Sequence, residues 1–147
     1  MPNLMPMKKY SLLLLVFAFS CSNQNPAGWI DQQRLNNQEA KDWLTLGGNQ
    51  QMQHYSPLNA INKANVQQLG FAWAYDASTH IGNVPRGLEA TPIVADGIMY
   101  TSGAWGAVYA LDAKTGKGLW QYLPPVDASY ARRSCCDVVN RGVAVWE

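Results

Sequence analysis

PIVADGIMYTSGAWGAVYALDAKTGKGLWQY, from Pro92 to Tyr122, is the stretch that decides the fold. Asp96-Gly97 is a dipeptide favoured in tight hairpin turns. It separates a short apolar strand, Pro92 to Ala95, from a returning strand, Ile98 to Ser102. Gly103 to Gly106 makes a second turn, Ala107 to Leu111 a third strand, Ala113 to Gly116 a third turn, and Gly118 to Tyr122 a fourth strand. Short strands joined in this way form an up-and-down antiparallel meander. One such sheet leaves its apolar faces uncovered, and units of this size ordinarily stack in a ring as propeller blades. The expected fold class is therefore all-β, a β-propeller of four-stranded antiparallel blades. Gly142 to Trp146 reads as the first strand of a second blade, so the chain is read as a fragment of about one and a half blades, truncated at Glu147.

Upstream of this meander the pattern changes once. Leu69, Phe71, Trp73 and Tyr75 alternate with Gly70, Ala72 and Ala74, which predicts a strand with one bulky face and one thin face. From Trp29 to Leu69 the reading is irregular. Asp31 is placed to cap a short helix running through Ala40, and Asn62 to Gln68 forms another turn or two. His54-Tyr-Ser-Pro-Leu58 reads as loop between them. Twelve glycines and eight prolines are scattered as punctuation, which favours short strands over long helices. Six tryptophans and seven tyrosines demand burial. A net charge of +1, with 14% of residues charged, leaves no electrostatic footprint for nucleic acid. His54 and His80 are isolated and make no metal site.

The beginning of the chain has the grammar of export. Lys8-Lys9 is a charged start, Leu12 to Phe19 an apolar run, and Ser20-Cys21 a small-residue close. That run is well short of the roughly 20 residues needed to span a bilayer, so it reads as a signal rather than a membrane helix. Ala18-Phe19-Ser20-Cys21 resembles a bacterial lipobox, with residues 1–21 as leader and Cys21 as the lipidated residue. Residues 22–42 then form a tether and a short helix. By resemblance to lipoprotein sorting patterns, Ser22 implies the periplasmic side of the outer membrane, with the lipid anchor as the only membrane contact. An ordinary signal peptide cut nearby remains the alternative. Both deliver the chain to an oxidising compartment.

Cys135 and Cys136 are adjacent. Neighbouring Cα atoms lie about 3.8 Å apart, below the roughly 4.4–6.8 Å of a relaxed disulfide. A bond between them closes a small strained ring and removes little chain entropy. If oxidised, the pair is a poor staple and a better stiff, polarisable platform beside a flat ligand.

Ala110-Leu-Asp112-Ala-Lys-Thr115-Gly116-Lys-Gly-Leu-Trp120 fits Ala-x-Asp-x-x-Thr-Gly-x-x-x-Trp, the tryptophan-docking motif of quinoprotein propellers. In it Thr115-Gly116 supplies a tight turn, Asp112 accepts from turn amides, and Trp120 offers a wide apolar face to an adjacent blade. The surrounding sequence narrows the choice. Trp43-Leu-Thr-Leu-Gly-Gly48, His54-Tyr-Ser-Pro-Leu58, Asn65-Val66 with Leu69, and Ala72-Trp73 with Tyr75 resemble the N-terminal region of alcohol dehydrogenases that use pyrroloquinoline quinone (PQQ). So do Gly87-Leu-Glu-Ala-Thr-Pro92 and Cys135-Cys-Asp-Val-Val-Asn-Arg-Gly-Val-Ala144, the former closer to the quinohaemoprotein branch than to methanol dehydrogenases. The likeness covers residues 43–147.

The resemblance implies that Cys135 and Cys136 form a vicinal disulfide lying flat on the quinone ring system. Glu89 then makes a polar contact at the cofactor's edge, and Arg141 points its guanidinium at the quinone oxygens. A fixed cation stabilises the charge that builds there on reduction. It also implies a small alcohol as substrate, hydride transfer to PQQ, and a c-type cytochrome as electron acceptor. A calcium or lanthanide ion, a catalytic aspartate and any haem c domain are supplied by residues downstream, so this fragment alone is expected to be inactive. Duller readings stand beside each of these. The cysteines are reduced and buried, Glu89 is a solvated loop carboxylate, and Arg141 pairs with Asp137 on the surface; Trp105 either lines a substrate funnel or packs in the core, and core packing is the expectation. The alternative function is a non-catalytic propeller lipoprotein that scaffolds outer-membrane barrel assembly. Such a scaffold has no use for Glu89, Arg141 and the cysteine pair together.

Overall fold

The structure, a computed structural model, describes residues 30–77, 81–82, 86–133 and 135–146. The leader through Cys21, most of the tether and His80 lie outside the described residues. The centre of the chain is one antiparallel sheet, β1 (Ile93–Ala95), β2 (Ile98–Ser102), β3 (Val108–Asp112) and β4 (Gly118–Tyr122), with neighbours in chain order. This is the meander that the turns predict. Register follows from them: Ala95 pairs with Ile98, Tyr100 with Ala110, and Ala110 with Trp120. At the β1–β2 hairpin Asp96 and Gly97 both take positive φ, 51° and 77°, as a two-residue turn with the twist of its strands requires.

The β3–β4 turn is built by one carboxylate. Asp112 Oδ1 accepts from the Thr115 amide and hydroxyl, each at 2.7 Å, and from the Lys114 amide at 3.1 Å. A side chain at Gly116 would collide with the indole of Trp73, so this turn is also where the upstream segment lies on the sheet. The Thr115 hydroxyl and amide hold the Asp112 carboxyl below its ordinary value. Its folded pKa is therefore lower than its unfolded one. The stabilisation is complete above the unfolded value of about 4 and is lost as pH falls through the folded value. Asp112→Asn should flatten that part of the acid dependence. A melting series from neutral pH to below pH ~3 checks it: the gap between the two proteins should narrow with acid. A constant gap counts against the turn carboxylate as its source.

Each face of the sheet meets a different partner. Ala107, Tyr109 and Leu111 pack with Met99, Trp73, Tyr75 and Ala77, and the rings of Tyr75 and Tyr109 meet edge-on at 5.6 Å. Across the sheet, Ala95 joins Ile30, Leu44, Leu35, Tyr100 and Val145. The upstream segment thus supplies side chains to the core, but residues 69–77 form no strand. Alternation alone does not make a strand, because backbone pairing needs an adjacent edge. Trp73 and Tyr75 find the sheet, whereas Phe71 stays 85% exposed.

Two further expectations need correction. The helix capped by Asp31 ends sooner than Ala40: α1 covers Gln32–Asn36, and the Asn37 amide closes it on Gln33 and Arg34 carbonyls. Asparagine competes for backbone hydrogen bonds and favours such stops, and Asn37 Nδ2 also donates to the Gln33 carbonyl. Gly142 to Trp146 is not a strand either. Gly142 makes a single parallel bridge to Thr91, and the rest runs on without pairing. The turn expected near Asn62 to Gln68 is present as a short 3-10 turn at Val66–Gln68.

Candidate functional site

Two loops meet at one end of the sheet. The first, residues 86–91, leads into β1 and carries Glu89. The second, residues 135–142, follows the blade and carries Cys135, Cys136 and Arg141. Their junction is backbone-determined. The Thr91 amide donates to the Arg141 carbonyl at 3.2 Å, and the Trp105 amide in the β2–β3 turn donates to the Val138 carbonyl at 2.9 Å. Ser102, fully buried at the end of β2, donates its hydroxyl to Asn140 Oδ1 at 3.0 Å, and the same oxygen accepts from the Gly142 amide at 3.1 Å. A Cβ at Gly87 would stand 3.4 Å from Val139 Cγ1, so the loops are in close contact.

This packing brings together all four residues expected at a cofactor. Arg141 Nη2 lies 3.0 Å from Glu89 Oε2, with the two side chains 66% and 46% exposed. Glu89 and Arg141 therefore face solvent as a pair. Asp137, the partner that the alternative reading gave Arg141, is instead paired with Arg86 at 2.9 Å. Cys135 and Cys136 are exposed, and their sulfurs lie 2.8 Å apart without a bond between them, so the structure shows neither the expected disulfide nor the burial of the alternative reading. The hydrogen bond from Cys135 raises the Cys136 pKa, with burial and Glu89 adding to the rise and Arg141 opposing it.

Trp105 packs in the core as expected, 5% exposed, yet its backbone has φ 64° and its indole Nε1 is buried without a partner. At the docking-motif residues Ala110 pairs with Trp120, Asp112 closes the turn on Thr115 and Gly116, and the Trp120 ring is 6.2 Å from that of Tyr100 with half its surface open. Arg86 and Ser102 also support this junction without any sequence signal having marked them, and Asn140 lies within the Cys135–Ala144 run but was given no role there. Among the described residues no group of three His, Cys, Asp or Glu side chains comes together to hold a metal ion. Nor is any described helix long and apolar enough to cross a membrane.

Residues 43–147 match the family described as PQQ glucose/ethanol/alcohol dehydrogenase, β-propeller domain. The chain is 47% identical over 114 residues to the quinohemoprotein alcohol dehydrogenase of Comamonas testosteroni, covering 78% of this chain and 15% of that protein. It is 47% identical over 106 residues to 1-butanol dehydrogenase (cytochrome c) of Thauera butanivorans, covering 72% and 14%. Among solved structures, that of quinohemoprotein alcohol dehydrogenase ADHIIG from Pseudomonas putida HK5 superposes with a TM-score of 0.75 at 45% identity, covering 83% of this chain and 17% of the other. The four-stranded sheet thus corresponds to part of a β-propeller. The chain spans about one-seventh of the length of the curated relatives it matches.

Proposed function

The chain belongs to the PQQ-dependent glucose/ethanol/alcohol dehydrogenase β-propeller family, and from that premise we propose that it builds one wall of a PQQ site in an exported alcohol-oxidising enzyme. The observation that carries this reading is the convergence of Glu89, Arg141, Cys135 and Cys136 on one solvent-facing ledge. Their chemistry fits a flat anionic ring. Exposed sulfur offers a polarisable surface, the Arg141 guanidinium offers a permanent cation with forked donors, and Glu89 orients that fork. When bound, the quinone supplies the acceptor for a hydride from the alcohol. This chain's residues bind and orient the ring. Arg141 sets positive charge at its anionic rim, and the cysteine pair, oxidised to a vicinal disulfide, gives a ledge with no proton to exchange.

The metal, calcium or a lanthanide, and the catalytic aspartate belong to other parts of the protein, so these residues alone do not turn over. A small alcohol as substrate and a c-type cytochrome as acceptor are in keeping with the names of two relatives, a quinohemoprotein alcohol dehydrogenase and a 1-butanol dehydrogenase (cytochrome c), and haem c is proposed for a further domain. The leader ending at Cys21 supports a periplasmic location with a lipid anchor. None of the three relatives supports the non-catalytic scaffold alternative.

The test is chemical. Dye reduction by the complete, PQQ-loaded protein should fall at least about tenfold after mild dithiothreitol treatment and return on reoxidation. Intact mass should show two hydrogens gained at Cys135–Cys136 in step with the loss. Full activity with both sulfurs reduced would end the disulfide reading.

A further inference from the structure

Cys136 and Asp137 are consecutive non-glycine residues with left-handed backbones, φ 68° and 75°. L side chains disfavour that conformation, and it persists only where the surroundings fix it. Two contacts do so here. Asp137 Oδ1 accepts from its neighbour's amide, Val138 N, at 2.8 Å, and from Arg86 Nη1 at 2.9 Å. Arg86 is itself set in place: its guanidinium carbon lies 5.7 Å from the centre of the Trp105 ring, a cation–π arrangement. Trp105 is buried and tied by its amide to the Val138 carbonyl. Arg86, Trp105, Asp137 and Val138 thus form a closed circuit joining the loop before β1, the β2–β3 turn and the loop after β4. The cysteines sit at one end of that circuit and Arg141 beyond the other.

We propose that Arg86 is a positioning residue for the cofactor ledge, holding Asp137 so that the left-handed turn aims the two sulfurs at the bound ring. This rests on the PQQ reading above and adds to it a residue that never touches the cofactor. A side chain three residues before Glu89 would then set the attitude of sulfurs about fifty residues later in the chain. The flat fork of arginine suits this work, since one face lies on the indole while an edge reaches the carboxylate.

The experiment measures PQQ affinity and the thermal midpoint of the cofactor-free complete protein for Arg86→Met, Arg86→Lys and Asp137→Asn, in the natural background and with Cys135→Ala/Cys136→Ala. Arg86→Met should weaken PQQ binding by roughly tenfold or more, because small misplacements at a binding surface are costly. Arg86→Lys, which keeps the charge but not the flat fork, should recover part of it. In the background without cysteines, Arg86→Met should change affinity by less than about twofold, since residues acting through one another are not additive. An equal loss in both backgrounds, or unchanged binding by Arg86→Met, overturns the proposal. So does a loss that follows the thermal midpoint and ignores lysine. Should Arg86→Met fail to fold, Asp137→Asn carries the same cycle. If removing the cysteines leaves PQQ affinity unchanged, the ledge reading itself fails, an outcome distinct from failure at Arg86 alone.

Discussion

Arg34→Met is expected to speed hydrogen exchange at the Trp43 and Val94 amides by roughly 100-fold, the equivalent of about 3 kcal/mol of local stability. Arg34 projects from α1 and clamps two carboxylates. Its Nη2 lies 2.8 Å from Asp42 Oδ2, and its fork meets Asp96 at 2.8 and 2.9 Å. Asp42 is 4% exposed, and its other oxygen accepts from the Asp96 amide at 3.2 Å. Asp96 is the hairpin residue of β1–β2, so this cluster fastens the N-terminal segment to the sheet beside the paired Trp43–Val94 bridge, both of whose hydrogen bonds are 2.8 Å. Hydrogen bonding to Asp96 raises the pKa of Arg34 far beyond any working pH, so the clamp never loses its cation. Methionine would leave a buried carboxylate unpaired next to another, which is the costly way to break such a cluster. Arg34→Lys should restore only part, because it lacks the fork. Glu39→Gln is the matched control. Its partner Lys41 lies 3.0 Å away, but both side chains are about two-thirds exposed, and pairs of that kind contribute little. Less than about tenfold acceleration in Arg34→Met would mean that the apolar packing of Ile30, Leu44 and Ala95 holds the segment unaided.

What could be read ahead of the structure was what is local. Asp96-Gly97 and the Asp112 to Gly116 turn state their own geometry, since a carboxylate and a few amides within four residues settle it. Four strands followed from those turns with errors of a single residue at their ends. Contacts between distant residues were not legible. Leu69 to Tyr75 alternates as a strand does, but alternation encodes which side chains seek burial, not whether a backbone edge is available to them. Arg86 gave no signal because its meaning lies in Asp137, 51 positions later, and in an indole from a third loop. The four candidate site residues were legible through a different channel, the resemblance of two short runs to one enzyme family. Their convergence needed the Thr91–Arg141 and Ser102–Asn140 contacts, which no pattern announces.

Arg141→Gln should weaken PQQ binding by about 100-fold while leaving the melting temperature of the cofactor-free protein unchanged. The two halves of that expectation have one cause. Glu89 and Arg141 are paired at 3.0 Å but largely open to water, and exposed ion pairs add little to folding. Against a flat anionic ring the same guanidinium would make charge-assisted, forked hydrogen bonds, which are about twice as strong as neutral ones. Removing it also leaves Glu89 uncompensated and repelling the incoming anion. The double variant Arg141→Gln/Glu89→Gln should therefore bind better than Arg141→Gln alone, and Arg141→Lys should fall between natural and glutamine forms. Titration of the cofactor-free complete protein with PQQ, read by quenching of tryptophan fluorescence, gives each affinity. A change smaller than about threefold in Arg141→Gln would place the guanidinium outside the cofactor's reach and leave Glu89–Arg141 an ordinary surface pair.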